Sequence, residues 1–263
     1  EHGHTIRTRA RLEGDEWVIN GEKMWPSGAG VADLYCVVCT TDASQKEEGM
    51  ALIYVPKDTH GLSFGKPEEK MGMKVTDFNS AIYFDDVRVP KEYRAGGPGV
   101  DWRLFRNNVA WGRLMSAPMT LGNAQAVLDI VIEHSRTRSY GGKPVRNHSL
   151  QAAMIADMAI GIESARAFYL SVAAMFNNRK KYGNPGEDYL LARTSAAKVY
   201  ACDVTEMVCN RAMELMGSYG YARDYHVEKY LRDSKIIQLW LGGGQLGRLD
   251  VVQSYCPCVE GYK

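Results

Sequence analysis

The sequence predicts an α+β chain, a small β-barrel or sandwich followed by a helical bundle, and three observations carry that expectation. Short alternating segments rich in Val, Ile, Tyr and Thr fill residues 1 to about 95. A breaker cluster, Pro90 and then Ala95-Gly-Gly-Pro-Gly99, interrupts them. Beyond it, apolar residues recur at helical spacing to the end of the chain. A β domain at 1–95 and a helical domain at 96–263 are therefore expected.

In chain order, Thr5-Ile-Arg-Thr-Arg-Ala-Arg-Leu12 alternates strictly and reads as the first strand. Residues 17–25 follow, with Asn20-Gly21 as a tight-turn signal, and further strands are expected at 33–41, 50–55, 61–66 and 79–89. Helices are expected at 100–137, 147–180, 187–216, 225–238 and 244–255, lengths that suit a bundle. Met154, Met158, Ile162, Ala165 and Phe168-Tyr169 mark one buried stripe, in which Met serves as core filler. Pro118 should kink or loosen the first helix unless a neighbour satisfies the freed carbonyl. Tyr182-Gly-Asn-Pro-Gly-Glu187 is an inter-helix turn.

Composition excludes several function classes. The 263 residues carry 32 basic and 31 acidic side chains, a net charge of +1, interspersed along the chain, so neither nucleic acid nor an anionic membrane is a bulk partner. No apolar run reaches the roughly 20 residues of a bilayer span and no signal-peptide core opens the chain, so a cytoplasmic protein is expected. Six cysteines are too few for a disulfide framework in a chain this long. Cys36 and Cys39 form a C-x-x-C that raises redox or zinc readings, but they lie inside a strand-like segment without a second ligand pair, and no metal is expected. Cys202 and Cys209, at helical spacing, read as small core residues, whereas Cys256 and Cys258 would be reactive only if exposed. No histidine stands out as a base: His2 and His4 are terminal, His60 sits in a turn, and His134, His148 and His226 read as helix-surface or capping residues.

The stretch from Gly217 to Arg248 is a glycine turn, a helix, and a second glycine turn, Gly242-Gly243-Gly244, opening another helix. Glycines let backbone N–H groups approach a ligand, and a helix start accepts an anion; the plainer reading is two helix connections with Gly caps. In residue order the stretch resembles the C-terminal signature of the acyl-CoA dehydrogenase flavoprotein superfamily: a Gly turn, Leu231-Arg-Asp233 with Lys235-Ile236, then a glycine turn with Gln245. Three further segments resemble that family. They are Asn20-Gly-Glu-Lys-Met-Trp25 with Pro26-Ser-Gly-Ala-Gly30, Phe84-Asp-Asp-Val-Arg-Val-Pro90, and Arg138-Ser-Tyr-Gly-Gly-Lys-Pro144. The likeness covers essentially the whole chain, except that the family's N-terminal helical domain has no counterpart here.

The resemblance implies FAD as cofactor and an acyl-CoA thioester as substrate. Trp25 and Ser27 match the Trp and Thr that flank the flavin ring, and Ser keeps the hydroxyl donor. Arg138, Ser139 and Tyr140, with Glu214, Gly217 and Ser218, match positions that hold the adenine half of a neighbouring subunit's FAD. Two departures occur there. Glu214 stands for a Gln, and its carboxylate suits adenine or ribose rather than pyrophosphate. Thr137 stands for an Arg, leaving Arg136 or Arg138 to supply the charge. Gly243 replaces a Thr that contacts the flavin, whereas Gln245 is retained.

The family's catalytic Glu falls on Leu241, and the alternative Glu position of some members falls on Gly112. Neither residue takes a proton. Arg113 is retained, to orient a carboxylate or to form a structural ion pair, and the Leu241 backbone N–H remains able to polarise a thioester carbonyl. Gly112, Trp240, Leu241 and Gly242 are the expected substrate contacts. The resemblance therefore implies a dehydrogenase-like flavoenzyme for an atypical acyl-CoA, with its base expected from an N-terminal segment. The alternatives are a non-oxidising lyase of the desulfinase type, an inactive partner subunit that completes a FAD site, and a monooxygenase of the same fold. Electron-transfer flavoprotein or another acceptor, and a homo-tetramer or hetero-oligomer sharing FAD across an interface, are the expected partners.

Overall fold

The computed structural model describes residues 6–74 and 78–256, in two compact units, the first running to Arg106 and the second starting at Asn107. The start of the first expected strand, His2, His4 and Cys258 lie outside the described residues.

The first unit is one curled six-stranded sheet, half of a barrel, with strands β1 Arg9–Glu13, β2 Glu16–Lys23, β3 Leu34–Thr40, β4 Met50–Pro56, β5 Leu62–Phe64 and β6 Ile82–Pro90 in the order β4-β3-β1-β2-β6-β5. Its core follows the two-residue alternation of strands. Tyr35, Val37 and Cys39 of β3 and Ile82, Phe84, Val87 and Val89 of β6 point inward, to meet Ile19, Ile53 and Val55. The C-x-x-C pair is thereby split, with Cys39 buried and Cys36 exposed on the other face. Burial pushes the Cys39 thiol up to about 12, so it is inert.

Asn20-Gly21 is not the expected turn. β2 runs through it without a break, and the hairpin reverses earlier, at Gly14-Asp15, with Gly14 at φ 60°. What occupies Asn20 is a β-bulge. Ile19 pairs with Val87 and Gly21 with Phe84, so Asp85 and Asp86 together face Asn20. The Asn20 amide donates to Asp86 Oδ1 at 2.9 Å, and its oxygen accepts the Asp86 N–H at 3.0 Å. Gly21 is required because a Cβ there would stand 2.8 Å from Thr8 Cα.

In the second unit, α1 (Val100–Thr137, entering from the first unit), α2 (Ser149–Met175), α4 (Asp188–Met216), α6 (Val227–Leu239) and α7 (Gly243–Tyr255) are the long helices, and α3 (Arg179–Tyr182) and α5 (Ser218–Tyr221) are single turns. The second expected helix stops at Met175, because Asn178 caps the separate α3 by accepting the Lys181 N–H. Pro118 lies within α1, which is continuous through it. α4 is the central helix, packed on α2, α6 and α7. Its buried stripe joins Leu121, Val127 and Val131 of α1 and Met158 and Ile162 of α2 in one core that also takes in Cys209; Cys202 is buried on the same helix. A short hairpin of β7 (Ser139–Tyr140) and β8 (Lys143–Pro144) follows α1, turning at Gly141 and Gly142, both with positive φ.

Among the described residues, no helix is long and apolar enough to cross a membrane, and no group of three or more His, Cys, Asp and Glu is placed to hold a metal ion.

Candidate active site

α6 ends at Trp240, whose backbone is extended, and three left-handed residues follow: Leu241 at φ 52°, Gly242 at 90° and Gly243 at 65°. Gly242 and Gly243 adopt such angles freely, whereas Leu241 is strained there. Strain in a non-glycine residue persists only where its surroundings enforce it. Here they do. The Trp240 indole N–H donates to Ser116 Oγ at 2.8 Å, and Ser116 Oγ donates to the Gly112 carbonyl at 2.7 Å. The Leu241 side chain lies against Gly112, where an added Cβ would stand 2.8 Å from Leu241 Cδ1.

Two buried cations hold the turn from beneath. Arg113 of α1, 5% exposed, donates from Nε to the Leu241 carbonyl at 3.2 Å and from Nη1 to Ser195 Oγ at 2.7 Å, and pairs with Asp250 of α7. Lys198 of α4, 2% exposed, donates to the Trp240 carbonyl. Burial, with a smaller contribution from the Arg113 charge, pushes the Lys198 pKa down to about 8. Among the described residues the Leu241 N–H has no acceptor, and the residue is 37% exposed. The turn thus presents one free donor whose neighbouring carbonyls are both taken.

Gly112, Arg113, Trp240, Leu241 and Gly242 are therefore gathered at one place. Sequence reasoning missed Lys198, Ser116, Ser195 and Asp250, which complete it. One signal was available for Lys198: it falls in register with Leu191, Ser195, Ala201, Cys202 and Thr205 on the buried stripe of α4.

In the first unit, Trp25 and Ser27 lie on the loop leaving β2. Trp25 has φ 68° and an indole-bearing side chain that leaves the residue 57% exposed. Its carbonyl accepts from Asn79 Nδ2 at 3.1 Å, and Ser27 bridges Asn79 in an antiparallel pair. Among the described residues the Ser27 hydroxyl has no partner. An exposed planar indole and a free hydroxyl two residues apart fit the edge of a flavin. Gln245, near the start of α7, is also exposed, and among the described residues its amide has no partner; Gly243 leaves space that a side chain would fill.

The expected adenine positions lie elsewhere in the second unit. The Arg138 guanidinium sits 5.3 Å from the Tyr219 ring, next to Ser218, so α1's end and α5 are adjacent. Tyr140 stacks on His148 at 3.9 Å and 5°, and His148 Nε2 is 3.1 Å from the Tyr140 carbonyl oxygen. Gly217 caps α4 at φ 57°. Glu214 pairs with Arg211 at 3.1 Å, which offsets its charge. The neighbouring cleft of about 470 Å³ is lined by Ile130, Met216 and Tyr225 together with Asp129, Glu133, His134 and Thr137, and Glu133 is paired with Arg136 at 2.7 Å.

Comparison with known proteins places these features in context. Residues 101–255 match the acyl-CoA dehydrogenase C-terminal domain model and residues 3–87 the acyl-CoA dehydrogenase middle domain model. The mouse mitochondrial short-chain specific acyl-CoA dehydrogenase is 32% identical over 242 residues, covering 92% of this chain and 57% of that protein. The cyclohex-1-ene-1-carbonyl-CoA dehydrogenase of Syntrophus aciditrophicus is 33% identical over 244 residues, 93% of this chain and 57% of its own. Butyryl-CoA dehydrogenase from Megasphaera elsdenii superposes with a TM-score of 0.87 at 30% identity, over 95% of this chain and 63% of that one. The chain spans less than two thirds of the length of these relatives.

Proposed function

We propose that this chain, which belongs to the acyl-CoA dehydrogenase family, is the thioester-binding and flavin-binding part of a FAD-dependent oxidoreductase that acts on an atypical acyl-CoA. The observation that carries the reading is the Leu241–Gly112 contact. Leu241 and Gly112, the two positions at which the resemblance implies a carboxylate, adjoin one another, both are apolar, and Leu241 keeps its backbone donor.

FAD, when bound, accepts a hydride from the acyl chain. In the first unit, Trp25 and Ser27 would flank its ring system; taken by itself, the second unit offers Gln245 and Gly243 as candidate flavin contacts and Arg138, Ser139, Tyr140, Glu214, Gly217 and Ser218 for an adenine half. The Leu241 N–H would polarise the thioester carbonyl and acidify the neighbouring C–H. Leu241 itself takes no proton, and Asp250 is engaged by Arg113. The proton acceptor would come from the part of the relatives' length that this chain does not span. An acceptor such as an electron-transfer flavoprotein would reoxidise the flavin.

Anaerobic mixing of the full-length protein with a panel of straight-chain and cyclic acyl-CoAs tests the reading. Bleaching of the flavin by at least one thioester supports it, and no bleaching by any sinks it. The apolar pair also fits a second reading, elimination of a leaving group without net oxidation, in which the leaving group departs from the β-carbon with its electron pair and the α-proton goes to an acceptor outside the Leu241–Gly112 pair. Product formed without an electron acceptor would select that reading.

A further inference from the structure

Resting on the thioester reading above, we propose that Lys198 is a positioning residue of the acyl-CoA site: through the Trp240 carbonyl it aims and strengthens the Leu241 N–H. The Trp240 carbonyl and the Leu241 N–H belong to one planar trans peptide unit and point in opposite directions. A cation fixed on the oxygen therefore fixes the direction of the N–H. It also draws electron density toward the oxygen, which makes the N–H a stronger donor.

The surroundings point to the same role. Lys198 is buried on the inner stripe of α4, and among the described residues no carboxylate pairs with it. An ammonium buried without a counter-ion is unfavourable, and packing alone would be served by an apolar side chain. The titratable groups around it are Arg113 of α1, itself paired with Asp250 of α7, and Cys202 one turn further along α4. Arg113 takes the next carbonyl, that of Leu241, so both peptide planes flanking Leu241 are tied to the bundle. The Gly243 N–H also reaches the Trp240 oxygen, at 3.1 Å, but it belongs to the turn itself and cannot tie the turn to α4.

The FAD-loaded full-length protein is mixed with butyryl-CoA carrying a ¹³C-labelled thioester carbonyl, and the carbonyl stretch is followed by infrared difference spectroscopy while binding is measured by calorimetry. In the wild type the bound carbonyl band should lie below that of free butyryl-CoA and relax upward as the pH is raised through about 8, where Lys198 loses its proton. Lys198→Met should remove the pH-dependent part and weaken binding about tenfold. Lys198→Arg, which stays charged, should keep the lowered band at high pH. Identical bands in the wild type and Lys198→Met at every pH overturn the proposal. If Lys198→Met does not fold, the wild-type titration decides alone: a lowered band that does not change with pH overturns it. If butyryl-CoA does not bind, the same titration is run with the thioester of the straight-chain and cyclic panel that binds most tightly; failure of every thioester to bind, or an unshifted band at every pH, instead overturns the thioester reading and the Lys198 role with it.

Discussion

The Leu241 side chain occupies the space that any side chain at position 112 would enter, its Cδ1 standing 2.8 Å from the Cβ position of Gly112. The two residues thus share one volume. A carboxylate can be installed from either side of it only if the other side stays small. Leu241→Glu is compatible with Gly112, and it should raise the rate of flavin reduction by butyryl-CoA about a hundredfold or more, read by stopped-flow bleaching. Gly112→Glu requires the tip of the Leu241 side chain to move aside and should cost about 1 kcal/mol or less in urea unfolding, a loss that Leu241→Ala relieves.

Arg113 joins α1 to both the turn and α7. Arg113→Met removes the buried Arg113–Asp250 ion pair and should destabilise the protein by about 3–5 kcal/mol by denaturant unfolding. A loss of under about 1 kcal/mol would show that the pair behaves as a solvated surface pair.

Lys198 gives stability a pH dependence of known sign. Its pKa falls from 10.5 to about 8 in the folded protein. Between those values the unfolded chain holds the proton and the folded one does not, so its contribution to stability rises with pH through that window and is most adverse below it. The difference amounts to about 3 kcal/mol. Lys198→Met should flatten that part of the stability profile between about pH 8 and 10.5, measured by thermal unfolding.

Trp25 offers a way to separate fold from cofactor. Its φ of 68° suits glycine better than a bulky residue. Trp25→Gly should change stability by less than about 1 kcal/mol, because relief of strain opposes the added chain entropy. Flavin affinity should fall at least about tenfold, measured by fluorescence titration. Retention of full flavin affinity would remove Trp25 from the flavin's surroundings.

Gly21→Ala places a Cβ 2.8 Å from Thr8 Cα at φ 131°. A loss of about 1–3 kcal/mol is expected, localised by hydrogen exchange to β1 and β2.

Much of the fold was legible because it is written in local pattern. α1, α4, α6 and α7 fall where periodicity and glycine caps put them, to within one or two residues. Asn20-Gly21 misled because the same dipeptide chemistry serves a turn and a bulge. The choice is made by Asp86, some sixty residues away, which offers Asn20 a side-chain and backbone partner. The end of α2 was missed although Asn178 gave a local capping signal. At the candidate site, motif likeness singled out Gly112, Arg113, Trp240 and Leu241, and the bundle gathers them. Lys198 and Asp250 stayed hidden for a different reason. A lysine or aspartate in a helix reads as a surface residue until its place on the buried face and its distant partner are known.

The three left-handed residues between α6 and α7 have a consequence for folding choice as well as for binding. A right-handed helix cannot propagate through a segment of the opposite hand, so α6 and α7 cannot anneal into one rod. If they did, the Leu241 N–H would be consumed in the i to i−4 ladder. Handedness, rather than any functional side chain, therefore keeps that donor available. Glycine removes the energetic penalty of the reversed hand at two of its three positions, and Leu241 bears it at the third, at about 1–2 kcal/mol.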